Sequence, residues 1–142
     1  MIRGEEDEIN TKDQIVYEDA ETLAYVSPKW WVNNPGNVLI VPKHHTENIY
    51  SISEDEIAAV YKTAQKIAVA IRETYDCDGT STRQHNEPDG NQDVWHFHVH
   101  VFARFKGDNL YQNHDNKRWV THEERQMYAQ KLQKYFADKS KK

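Results

Sequence analysis

The stretch DVWHFHVHVF, residues 93–102, sets three histidines at alternate positions of an otherwise almost wholly apolar run. Successive side chains of an extended chain point to opposite faces, so residues two apart share one. His96, His98 and His100 are therefore expected to stand in a row on one face of a strand over 94–104. Trp95, Phe97, Val99 and Val101 make the opposite face, which is apolar and suited to cover a layer of helices. A lone histidine is most often a satisfied surface or half-buried residue. Three on one strand face are costly to ionise together and wasteful as core. Spacing alone leaves three readings open: a metal site, acid–base or nucleophilic chemistry, and a structural role. His44, His45 and His85 supply further imidazoles if the fold brings them near.

Working outward from this strand, residues 14–18 (QIVYE) and 22–26 (TLAYV), separated by DAE, predict a hairpin. Residues 27–36 (SPKWWVNNPG) read as a loop, and NVLIVPK, 37–43, as a buried strand closed by Pro42, which lacks a ladder donor. Ser53 with Glu56 makes a capping box ahead of Ile57, Val60, Ala64, Ile67, Ala68 and Ile71 at helical spacing, so a helix is predicted to about Tyr75. Residues 79–86 form a threonine-containing strand candidate, and 87–92 (EPDGNQ) a turn. The polar stretch 106–119 reads as a long loop, functional or flexible. Thr121 with Glu124 repeats the capping box and opens a last helix through Tyr128, Leu132, Tyr135 and Phe136. The expected fold is α+β: an antiparallel sheet of about five strands with one long helix and a C-terminal helix. One domain is expected over 1–142, with 1–13 an N-terminal extension and 137–142 a tail.

Lysine and arginine total 18 against 23 aspartates and glutamates, a formal net charge of −5, so no basic field is available to hold a nucleic-acid backbone. Small anions remain acceptable to a locally positive pocket. Cys77 is the single cysteine and forms no internal disulfide, no apolar run approaches the ~20 residues of a membrane span, and the acidic opening MIRGEEDEIN does not read as a signal or transit peptide. A cytoplasmic protein is expected.

The run HFHVHVF, 96–102, resembles the signature of the histidine triad family, alternating histidines followed by apolar residues. The likeness extends to VYED at 16–19, LAY at 23–25, PGNVLIVPKHH at 35–45 and NEPDGNQDVWH at 86–96, in the family's order. The resemblance implies a homodimer that binds a nucleoside 5′-phosphate derivative and hydrolyses it at the α-phosphorus. In that reading His98 is the nucleophile, forming a covalent nucleotidyl-imidazole that water hydrolyses, with its second ring nitrogen held by a backbone carbonyl near the first histidine. His100 assists the leaving group and His96 supports the site from its rim. Gln92 and Asn86 match amides that touch phosphate and ribose, and Tyr25 matches an aromatic that lines the base pocket. Asn37 stands where many members carry a fourth histidine, and Val26 and Ser27 where many carry a ribose-binding carboxylate. The cysteines that hold zinc in some members are missing, so neither metal nor cofactor is expected. The stretch 103–112 is similar to the branch that splits dinucleoside polyphosphates, which assigns Arg104 and Lys106 to the extra phosphates. The alternatives are a phosphoramidate hydrolase of the same fold, a nucleotide-binding protein with little turnover, and a metal-binding domain using the triad directly.

Overall fold

Asp19 makes the first turn. Its carboxylate accepts the backbone N–H groups of Glu21 and Thr22 at 2.9 and 2.8 Å, closing the hairpin of β1 (Ile15–Glu18) and β2 (Thr22–Val26). In this computed structural model, which describes residues 12–113 and 115–141, three further strands join them: β4 (Val38–Pro42), β5 (Gly79–Arg83) and β6 (Val99–Arg104). The sheet runs β1-β2-β4-β6-β5 with every neighbouring pair antiparallel. The α+β architecture expected from the sequence is the one observed.

Both helices lie against one face of this sheet. The first, α1 (Glu54–Thr74), is capped as its sequence predicts: Ser53 Oγ accepts the N–H of Glu56 and donates to the Glu56 carboxylate. Val60, Ala64, Ile67 and Ile71 face Val38, Ile40, Val99 and Val101 in one buried cluster. The second, α2 (His122–Ser140), starts from Thr121, which accepts the N–H of Glu124, and packs on β1 and α1. It continues to Ser140 through residues read as a tail, 137–140, which remain exposed. Arg125 on α2 is buried, and its guanidinium donates to the carbonyl of Val26 at the end of β2. Gly36 sits between the layers with φ +76; a Cβ there would come within 2.7 Å of the Tyr128 ring and 2.9 Å of Tyr75. Only glycine meets both demands.

Two elements depart from expectation. Residues 29–31 and 117–119, read as loop, form β3 (Lys29–Trp31) and β7 (Lys117–Trp119), a separate two-stranded antiparallel sheet. Neither strand has a hydrophobic alternation long enough to announce itself, and each is ordered by a partner far along the chain. The histidine strand is also shorter than expected, since β6 begins at Val99. Extending the β4–β6 register two residues further would set Phe97 opposite Pro42, which has no N–H to give. The N–H of Phe97 bonds instead to the carbonyl of Thr46, and the chain turns away from the ladder. Trp95 falls in this turned segment and is exposed, not part of the apolar face, whereas Phe97, Val99 and Val101 are buried as expected.

Candidate active site

The sheet face turned away from the helices carries the polar residues. Cross-strand register aligns one rung over all five strands, Ile15–Tyr25–Leu39–His100–Arg83. His100 is therefore placed by the ladder itself, and Phe102 stacks beneath it with ring centroids 5.5 Å apart. Burial drives the His100 pKa well below the ordinary imidazole value, and the positive charges of neighbouring groups add to the effect. His98 lies just before the ladder, its ring 4.8 Å from that of His100. Its Nδ1 stands 2.7 Å from the carbonyl oxygen of His96. A carbonyl only accepts, so Nδ1 carries the proton and Nε2 presents a lone pair. Burial lowers the His98 pKa as well, more than that hydrogen bond and the nearby Asp93 raise it.

His96 does not stand in the row. Because the chain leaves the ladder at Pro42, His96 Nε2 donates to the Pro42 carbonyl at 3.0 Å, which leaves Nδ1 as the acceptor for His45 Nδ1 at 3.2 Å. Its pKa is lowered to about 4, chiefly by burial. Among the described residues no group of three or more His, Cys, Asp or Glu side chains is arranged to hold a metal ion.

The remaining expected site residues divide. Tyr25 packs with Leu39 and Val41, flanked by Ile15, Leu23 and Val94, on the rung and face that carry His100. Asn37 lies two residues before Leu39, the cross-strand partner of His100, and is fully buried. Neither atom of its amide finds a hydrogen-bond partner among the described residues, and neither does His100 Nδ1. Gln92 lines the cleft beside His100, and its amide is hydrogen-bonded within the protein: Oε1 accepts the N–H of Glu87 at 2.7 Å, and Nε2 donates to the carbonyls of Glu47 and Val94. Asn86 is likewise engaged, accepting the N–H of Ile49 at 2.8 Å and exchanging hydrogen bonds with the Gln84 amide. Arg104 forms a two-pronged pair with Asp108, Nε to Oδ2 and Nη2 to Oδ1 both at 2.9 Å, and Nη1 donates to Ser81. Lys106 is exposed two residues further on, beyond the strand.

The cations beside the histidines come from elsewhere. Lys29 and Lys117, with Trp31 and Asp93, line the space over His98 and His100. A cleft of about 260 Å³ opens from there, lined by Trp31, His85, Asp93, His100 and Lys117. The sequence reading missed these lysines because they belong to β3 and β7, each read as loop; the unassigned polarity of 106–119 was a signal for Lys117, and Lys29 lay in the stretch 27–36.

Residues 8–107 match the HIT domain. The chain belongs to the HIT (histidine triad) family. It is 32% identical over 108 residues to Protein hit of Bacillus subtilis, covering 75% of this chain and 70% of that one. It is 33% identical over 99 residues to the bis(5′-adenosyl)-triphosphatase of Saccharomyces cerevisiae, covering 69% of this chain and 47% of the yeast protein. The fold matches the crystal structure of a HIT-like protein from Bartonella henselae with TM-score 0.74 and 27% identity, over 89% of this chain and 88% of that one. Lys117 falls outside the stretch matched to the HIT domain, so β7 adds to the site something the matched stretch does not contain.

Proposed function

We propose that this HIT protein is a nucleotide hydrolase that cleaves dinucleoside polyphosphates, or related nucleoside 5′-phosphate derivatives, at the α-phosphorus through a covalent nucleotidyl intermediate on His98. The observation that carries this reading is the Nδ1 contact of His98 with the His96 carbonyl, which leaves a neutral imidazole with Nε2 as its nucleophilic atom. Burial supports it, since a lowered pKa keeps that lone pair unprotonated at neutral pH.

In this mechanism the Nε2 pair attacks the α-phosphorus and an N–P bond forms as the bond to the bridging oxygen breaks. The leaving polyphosphate or nucleotide carries away the electron pair. In this reading His100, next along the strand face, hydrogen-bonds the departing oxygen or the α-phosphate. Water then attacks the phosphorus, the P–N bond breaks, the nucleoside monophosphate is released and His98 is restored. The apolar group around Tyr25 on the same face suits a base. The buried amide of Asn37 has hydrogen-bonding capacity that no described residue uses, and buried polar groups ordinarily find a partner. Gln92 and Asn86 serve by fixing the loops that frame the site. A homodimer belongs to the same reading, and light scattering of the purified protein tests it.

The deciding experiment incubates the protein with diadenosine tetraphosphate in EDTA and resolves products by ion exchange. We expect AMP and ATP from the wild type and neither from His98→Ala. AMP production by His98→Ala at the wild-type rate, or none by the wild type on this substrate or an adenosine phosphoramidate, overturns the reading.

A further inference from the structure

The residues Lys29, Trp31, Lys117 and Trp119 share one face of the small sheet, because the register pairs Lys29 with Trp119 and Trp31 with Lys117. Each lysine lies over a tryptophan ring, Lys29 over Trp119 at 4.8 Å and Lys117 over Trp31 at 5.0 Å, so the two ammonium groups are held in place by the rings beneath them. Trp31 in turn meets the edge of His100 at 5.9 Å. The face therefore presents two positioned cations to the space over His98 and His100.

Those cations already hold an anion. One oxygen of Asp93, Oδ2, lies 3.3 Å from Lys117 Nζ and 3.9 Å from Lys29 Nζ. Asp93 reaches them from the opposite wall, at the end of a short turn that begins at Glu87 and is tied by Gln92. Glu87 has φ 66 and ψ 163, a backbone region almost reserved for glycine, and Asn91 has φ 71. Such a conformation costs on the order of 1–3 kcal/mol and persists only where its surroundings enforce it. The turn is thus held against its own backbone preference, and its far end is tied by the lysine pair. Asp93 lines the space over His98, which is 4% exposed.

We propose that Asp93 is a resident anion that reserves the Lys29–Lys117 pair for the leaving-group phosphates of a polyphosphate. The inference rests on the hydrolase reading for its site and goes further in naming what selects the substrate. A carboxylate and a phosphate oxygen are both anionic acceptors, so a ligand must compete with Asp93 for the same two ammonium groups. A pyrophosphate, with several charges and more acceptor oxygens than one carboxylate, displaces it; a neutral or amine leaving group does not. Displacement frees the Glu87–Asp93 turn and opens the space above His98. Arg104, one of the two residues to which the resemblance assigned these phosphates, is already committed to Asp108.

The test is a double-mutant cycle read by calorimetric titration with inorganic pyrophosphate at fixed ionic strength, on the wild type, Asp93→Asn, Lys117→Gln and the double variant. We expect Asp93→Asn to tighten pyrophosphate binding about tenfold, the scale of one charge-assisted contact. That gain should vanish in the Lys117→Gln background. Asp93→Ser is measured beside it, because an asparagine can keep a weak contact with the lysines, and thermal melts confirm that each variant is folded. Unchanged or weaker binding in both Asp93 variants overturns the proposal, as does a gain of equal size without Lys117, which marks a general field effect. The readout needs no turnover. Absence of AMP in the hydrolysis assay would therefore defeat the hydrolase reading while leaving this result to stand or fall by itself.

Discussion

The Nδ1 of His98 lies 2.7 Å from the backbone carbonyl of His96, two residues earlier in the same chain segment. That contact sets the tautomer of one histidine with the backbone of another and needs no carboxylate partner. An aspartate in that place would stabilise imidazolium strongly, whereas the carbonyl orients the ring and favours the charged form less than burial disfavours it. This suits a nucleophile better than a general base that must hold a proton.

Stability should fall on acidification through these same rings. Burial lowers the pKa of His96 to about 4, and it lowers those of His98 and His100, while an unfolded histidine titrates near 6.5. Between those values the unfolded chain binds more protons than the folded one, so stability is fully present above about pH 6.5 and is lost as pH falls toward 4. His96 alone accounts for on the order of 3 kcal/mol across that window. Thermal melts between pH 7.5 and 4.5 should show a steep decline in Tm, with a shallower slope in His96→Asn. A Tm independent of pH above 4.5 would sink this account.

Arg104→Ala should damage the fold more than the substrate preference. Asp108, whose side chain is 2% exposed, also accepts the N–H groups of Phe105 and Leu110 and the amide of Asn34, and its pairing with Arg104 holds its carboxyl well below the usual carboxylate range. Removing the guanidinium leaves that carboxylate without its cation, a cost of about 2–3 kcal/mol. Denaturant titration should register the loss, and activity on a polyphosphate and on a phosphoramidate should fall in proportion. A loss confined to the polyphosphate would return Arg104 to the phosphate-binding role.

Asn37→Leu should separate function from stability. The amide is buried without a hydrogen-bond partner among the described residues, so an apolar side chain of similar size removes a desolvation cost and should leave Tm unchanged or raised. If the amide serves the bound substrate, kcat/KM drops about tenfold or more. A lower Tm together with wild-type kinetics would assign Asn37 to the fold instead.

Much of this architecture is legible along the chain because its causes are local. The caps at Ser53 and Thr121 satisfy backbone groups three residues away, and the α1 stripe and the Val99/Val101 alternation follow from helix and strand geometry. By itself the sequence determined two helices, the main antiparallel strands, their apolar face and a histidine-bearing segment on the other. It could not determine which histidines share that segment's straight part, since Pro42, more than fifty positions earlier, ends the ladder and turns His96 aside to bond with its carbonyl. Nor could it separate a free arginine from one already paired with Asp108, or place Lys29 beside Lys117 over His98. Tertiary structure decided these points because pairing partners and register between distant segments depend on which backbone and side-chain groups the other strands leave unsatisfied. No stretch of the chain carries that information alone.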